Sequence, residues 1–168
     1  MDGVSQRGAS VSPFNSALET GIRALVLLEA FYPRRCDLSE VTWLDHLVVH
    51  TGDISDDAPP SLHPGLPNRV GELLVRRSLV EHSLRLMQKA HLVTVEDSDE
   101  GIVFSASDEA SPFLDLLRAS YTKDLKQCAA WMAERFAKLS RAELGVFVQG
   151  RIGRWTAEFG LDFGGMAD

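Results

Sequence analysis

The chain lacks most of the features that mark enzymes, secreted scaffolds and membrane proteins. Two cysteines among 168 residues, Cys36 and Cys128, have neither CxxC spacing nor the density of a disulfide framework. A stapled extracellular scaffold is therefore excluded, and reduced thiols in a cytoplasmic protein are expected. The longest clean apolar stretches, such as residues 24–28, fall far below the roughly 18 residues that cross a bilayer. Residues 1–12 are polar, with no apolar region of the signal-peptide kind. No membrane partner is expected. Phosphate cradles are missing, since the glycines follow neither GxxxxGK[ST] nor a strand-led GxGxxG. There is no GxSxG elbow and no recognised cysteine-nucleophile signature. No catalytic residue and no cofactor is assigned, and the expectation is a protein that is not an enzyme.

Basic charge is also scarce. Lys plus Arg is 17 against 24 for Asp plus Glu, a formal net charge of −7. An autonomous nucleic-acid binder is usually basic, so the balance argues against one without excluding a local basic face. What remains is ordinary globular composition, 45% hydrophobic and 24% charged. A chain of this length buries roughly two-thirds of its unfolded surface, enough for a core without metal or disulfide.

Helical periodicity begins after Phe14, with Asn15 or Ser16 as N-cap and Leu18, Ile22, Leu25, Val26 and Leu28 at helical spacing. Pro33 ends that run. Asp37 and Glu40 form the two ends of a capping box, followed by the stripe Val41, Leu44, Leu47 and Val48. Residues 51–68 then hold four of the seven prolines, which disfavours helix and central strand alike. A loop this long is usually functional or disordered. Its Leu62 and Leu66 predict a loop that docks. Residues 69–90 read as the longest helix, with Val70, Leu73, Leu74, Val80, Leu84 and Met87 on one broad face. Residues 91–95 and 102–105 flank an acidic, Gly-containing turn and predict a hairpin. Helical patterns follow from about Ser107 or Ser111 to Lys138, and from the capping box at Ser140 and Glu143 to about Phe159.

The expected fold is mainly α, of the α+β class. A winged-helix-like core of three helices and a β-hairpin spans 14–106, with the proline-rich loop 51–68 inserted before the third helix. A flexible tail, 1–13, precedes it, and a C-terminal helical extension, 107–168, follows.

Three groups of residues raise chemical questions. His46 and His50 stand i, i+4, so one helix face can present both to a metal, with His63, Asp45 or Asp53 to complete a site. No further ligand is fixed by spacing, and no metal is assigned. Cys36 follows Arg34 and Arg35, which can lower a thiol pKa, but a lone thiol near a helix start reads as incidental. Cys128 sits on an apolar face and reads as an inert core thiol.

Charge is segregated along the chain. Residues 36–68 contain six acids and no Lys or Arg, whereas the third helix carries Arg69, Arg76, Arg77, Arg85 and Lys89 against Glu72 and Glu81. In a winged-helix transcription regulator that helix would read DNA, with Arg76 and Arg77 on phosphate. The same arginines can equally bridge to the acidic loop. The hairpin tip carries Glu96, Asp97, Asp99 and Glu100, which repel a DNA backbone. Protein contact is the favoured use of this layout. Near the C-terminus Phe147, Trp155 and Phe159 lie among glycines and arginines, a composition suited to a partner or to a helix returning to the core.

A set of short motifs carries a family resemblance. Phe14-Asn15, Glu19, Arg23-Ala24-Leu25, Asp45-His46-Leu47 and His50-Thr51-Gly52-Asp53 form its first half. Ser61-Leu62-His63-Pro64, Pro67-Asn68-Arg69, Gly71-Glu72-Leu73-Leu74-Val75-Arg76-Arg77 and Gly101-Ile102-Val103-Phe104 form its second. Together they resemble the middle component of bacterial ABC-three-component systems, to which Lamassu-type anti-phage defence belongs. The resemblance implies a non-catalytic accessory subunit that binds an SMC/Rad50-like ATPase and a nuclease-like effector. DNA would be met only through the assembled complex. On the matching positions, His50, Asp53, His63, Asn68, Arg69, Glu72, Arg76 and Arg77 would bind a partner or organise the loop.

Overall fold

The computed structural model describes residues 16–65 and 69–158, with backbone alone at 69–70 and 152–158. Its elements run α1 (Ala17–Phe31), β1 (Cys36–Asp37), α2 (Leu38–Val49), a 3-10 turn (Thr51–Asp53), α3 (Arg69–Lys89), β2 (Val93–Ser98), β3 (Gly101–Ala106), α4 (Ala110–Asp115), α5 (Ser120–Phe136) and α6 (Arg141–Glu158). The expected mainly helical α+β class is what folds. Among the described residues no helix is long and apolar enough to cross a membrane.

Ser16 caps α1, its hydroxyl accepting from the Glu19 amide at 3.1 Å. This helix is the hub. Thr20, Gly21, Arg23 to Leu28 and Phe31 are all buried, because α2, α3 and α5 each pack against it. A helix covered on most sides must be apolar nearly all round, as α1 is. The capping box of α2 forms as expected, with Asp37 accepting from the Glu40 amide and Glu40 accepting from the Asp37 amide, each at 2.9 Å.

The hairpin pairs Val93 with Ala106 through to Ser98 with Gly101. Gly101 has φ +107°, a conformation that only glycine adopts cheaply. A third strand accompanies it: Cys36 pairs with Phe104 and Asp37 with Val103, giving the antiparallel order β1-β3-β2. Two residues are too few to show period-two alternation, so β1 has no sequence signature.

One boundary moves. The hairpin was expected from His91, but His91 belongs to the end of α3. It takes φ +62°, while the Leu92 amide donates to Met87 O and the His91 amide to Gln88 O, both at 3.0 Å. That pattern is a Schellman cap with histidine where glycine is usual. The helical stretch from 107 to 138 is broken between Asp115 and Ser120 into α4 and α5. Both α5 and α6 feed the main core through Leu125, Cys128, Met132, Phe136, Leu144 and Val148.

Candidate functional site

An arginine at the centre of an apolar helix needs a counter-charge. Arg23 on α1 is 1% exposed, and its Nε donates to Asp45 Oδ1 at 2.9 Å. Asp45 lies on the buried face of α2 and is itself fully covered. Its second oxygen accepts from Arg76 Nη1 at 2.5 Å, and Arg76 Nη2 pairs with Glu72 one turn back on α3. Three helices are thus tied by one ionic chain, Arg23–Asp45–Arg76–Glu72. Burial favours a neutral Asp45, but the two guanidiniums outweigh it and lower its pKa.

The histidines extend this chain towards the loop. His46 Nδ1 lies 3.3 Å from Glu72 Oε2, and His46 Nε2 lies 3.6 Å from Asp53 Oδ2. His50 Nε2 lies 4.0 Å from the same Glu72 oxygen. The rings of His46 and His50 sit 4.6 Å apart, and that of His63 is 6.0 Å from His50. His63 Nε2 is 2.8 Å from the Tyr121 hydroxyl on α5. Burial acts against a charged His46, yet the carboxylates of Asp53 and Glu72 prevail and raise its pKa. Burial pushes His50 down to about 4, aided by the charge on His46. Glu72 is drawn down to about 2 by His46 and Arg76 against the effect of burial.

The cluster anchors the proline-rich loop. Residues 51–65 are folded on themselves by the Thr51 hydroxyl to Pro59 O at 2.6 Å and the Gly52 amide to Ser61 Oγ at 2.9 Å, and joined to α2 by the His63 amide to Val49 O at 3.0 Å. From α6, Arg151 donates to Ile54 O at 2.6 Å. Leu62 packs against the core, as expected; Leu66 lies outside the described residues.

The expected site residues therefore divide. His50, Asp53, His63, Glu72 and Arg76 converge in one buried or half-buried cluster. Arg77 does not join them; it is exposed and donates to Ser39 Oγ at 2.7 Å. Arg69 and Trp155 are placed by backbone alone, and Asn68 and Phe159 lie outside the described residues. Phe147 turns inward, 5.1 Å from the ring of Phe136, with Arg151 over its other side. It is half-buried and packs against the core where α6 returns to it.

Two expectations about single groups change. Arg76, considered for phosphate, is 5% exposed, whereas Leu74 beside it, expected in the core, is 73% exposed. The inward face of α3 runs 73, 76, 80, 83, 84 and 87, and Arg76 occupies an inward position because Asp45 and Glu72 neutralise it. Cys36 is not activated: burial pushes its thiol up to about 12, overcoming Arg34. Arg34 also donates to Glu40 at 2.7 Å and to Phe136 O at 2.8 Å.

Arg23, Asp45 as an ion-pair partner, and Tyr121 were not anticipated. A single arginine inside the run from Leu18 to Leu28 was a usable signal for a buried pair. Nothing local marks Tyr121.

A sequence model of the family described as ABC-three component system Middle Component 2 matches residues 13–158. No curated protein and no solved structure gives a match.

Proposed function

Because the chain belongs to the Middle Component 2 family of ABC-three component systems, we propose that it is a non-catalytic accessory subunit that binds an SMC/Rad50-like ATPase. In this reading it also holds a nuclease-like effector until foreign DNA is sensed, in defence of the Lamassu type. One observation carries the docking role. On α3, Leu74 and Val75 are 73% and 74% exposed, side by side and next to exposed Arg77. Two large aliphatic groups left in water beside an arginine have the composition of a protein interface core. Two polar residues of the same helix, Glu72 and Arg76, are spent inward on Asp45 and the histidines.

A winged-helix reader of DNA through Arg76 and Arg77 is weaker. Arg76 is buried in the ionic chain, and Asp97, Asp99 and Glu100 stand exposed at the hairpin tip. Co-expression of the chain with the other components of its system tests the assignment. A stable complex with the ATPase is expected, with no duplex binding by the isolated chain at low salt. Purification of the chain alone, or salt-sensitive duplex binding lost in Arg77→Ala, would overturn it.

A further inference from the structure

His46 and His50 on α2 and Glu72 on α3 bring three ligand atoms within 4.8 Å of one another, in a buried position. We propose that these three side chains bind a divalent transition-metal ion, zinc by ligand preference, which clamps α2 to α3 beneath the loop. This inference is independent of the partner assignment above.

The donor set suits the ion. Two imidazoles and one carboxylate are ordinary zinc ligands, and a fourth position is left for water. Ligand atoms on one tetrahedral zinc, with bonds of about 2.0–2.1 Å, stand about 3.3–3.4 Å apart. The His46 Nδ1 to Glu72 Oε2 separation is already 3.3 Å. The His50 Nε2 to Glu72 Oε2 separation is 4.0 Å, so a small ring rotation closes that edge. Among the described residues His50 Nε2 is covered and makes no hydrogen bond, and it faces Glu72 Oε2, which His46 Nδ1 also approaches. A buried nitrogen facing a carboxylate oxygen at this spacing is better satisfied by a shared cation than by vacancy.

The outer shell is also built. Metal-bound histidines usually present their second nitrogen to a carboxylate, and His46 Nε2 faces Asp53 at 3.6 Å. Arg76 holds Glu72 Oε1, which turns Oε2 towards the histidines. Charge permits the ion. Three carboxylates, Asp45, Asp53 and Glu72, meet two guanidiniums, Arg23 and Arg76, and the third positive charge can be a proton on His46 or a metal ion in its place. The third ligand comes from 22 positions beyond His50, across the proline-rich loop, which is why spacing within α2 does not disclose it.

The test uses the full chain, stripped with a chelator and titrated with Zn2+ and Co2+. One equivalent of zinc is expected by elemental analysis, with a raised thermal midpoint and visible d–d bands of tetrahedral cobalt. His50→Gln and Glu72→Gln should each weaken binding at least about tenfold, since even outer-shell changes cost roughly 10–100-fold. His82→Ala, an exposed histidine elsewhere on α3, should leave it unchanged. Substoichiometric zinc, or unaltered affinity in both glutamine variants, overturns the site. Should those variants fail to fold, nitrogen NMR of the wild-type imidazoles decides: unshifted His46 and His50 resonances on zinc addition refute it.

Discussion

At the residue scale, His91 is the most exposed to a simple test. A non-glycine residue at φ +62° costs on the order of 1–2 kcal/mol, and glycine returns part of that through its own unfolded-state entropy. His91→Gly is therefore expected to raise stability by up to about 1 kcal/mol in denaturant unfolding. The histidines give a second prediction. Burial pushes His63 down to about 4, with Arg23 and Arg76 adding to it, and His50 likewise to about 4. Below an ordinary histidine pKa of about 6.5 the unfolded chain then binds more protons than the folded one. Stability from these two groups is complete above that pH and is lost as pH falls towards 4. Glu72, drawn down to about 2, adds a loss that begins below the ordinary carboxylate range. His46 works in the opposite sense, because its raised pKa favours the fold in acid, but between pH 7 and pH 4 it is one group against His50 and His63. With chelator present, the thermal midpoint is expected to fall steadily between pH 7 and pH 4. His63→Gln should flatten that fall, and a midpoint that rises on acidification would contradict the balance.

At the scale of elements, the best test is the junction where Arg34 meets the end of α5. Its guanidinium donates to the carbonyl of Phe136 at the end of α5, to that of Leu139 just beyond it, and to the covered carboxylate of Glu40. Arg34→Ala removes a shared donor and strands Glu40, so a loss of about 3 kcal/mol is expected in chemical denaturation. How far the elements were legible follows from their physics. The capping boxes at Asp37 and Ser140, the long third helix and the hairpin all rest on contacts within a few residues, and each is where local pattern places it. β1 was illegible because its pairing is with Phe104 and Val103, far along the chain. The inward turn of Arg76 was illegible for a related reason. Hydrophobicity assigns arginine to solvent and Leu74 to the core, and only Asp45 and Glu72, brought in by folding, reverse the two. The histidine pair was visible within α2, whereas Glu72 and Tyr121 reach it only through packing of α3 and α5.

For the whole molecule, the net charge of −7 hides a division of labour. The acids of the second helix and loop are partly consumed inside, where Asp45, Asp53 and Glu40 meet arginine or histidine. Even the hairpin is tied back, by Glu96 to Arg35. The acidic hairpin tip and, on α3, an aliphatic pair beside Arg77 stay outside, as do Leu116 and Val146. The pair on α3 is the surface the proposed accessory role uses, and the buried cluster ties the loop and the three helices together. Leu74→Asp with Val75→Asp tests the central claim most directly, since both side chains project into solvent and contribute little to the core. The variant is co-expressed with the other components of the system and compared with wild type by size-exclusion chromatography. The account predicts an unchanged circular dichroism spectrum and thermal midpoint, with at least about tenfold weaker retention in the complex, as for loss of an interface hot spot. A variant that folds normally and still assembles at wild-type strength would contradict it.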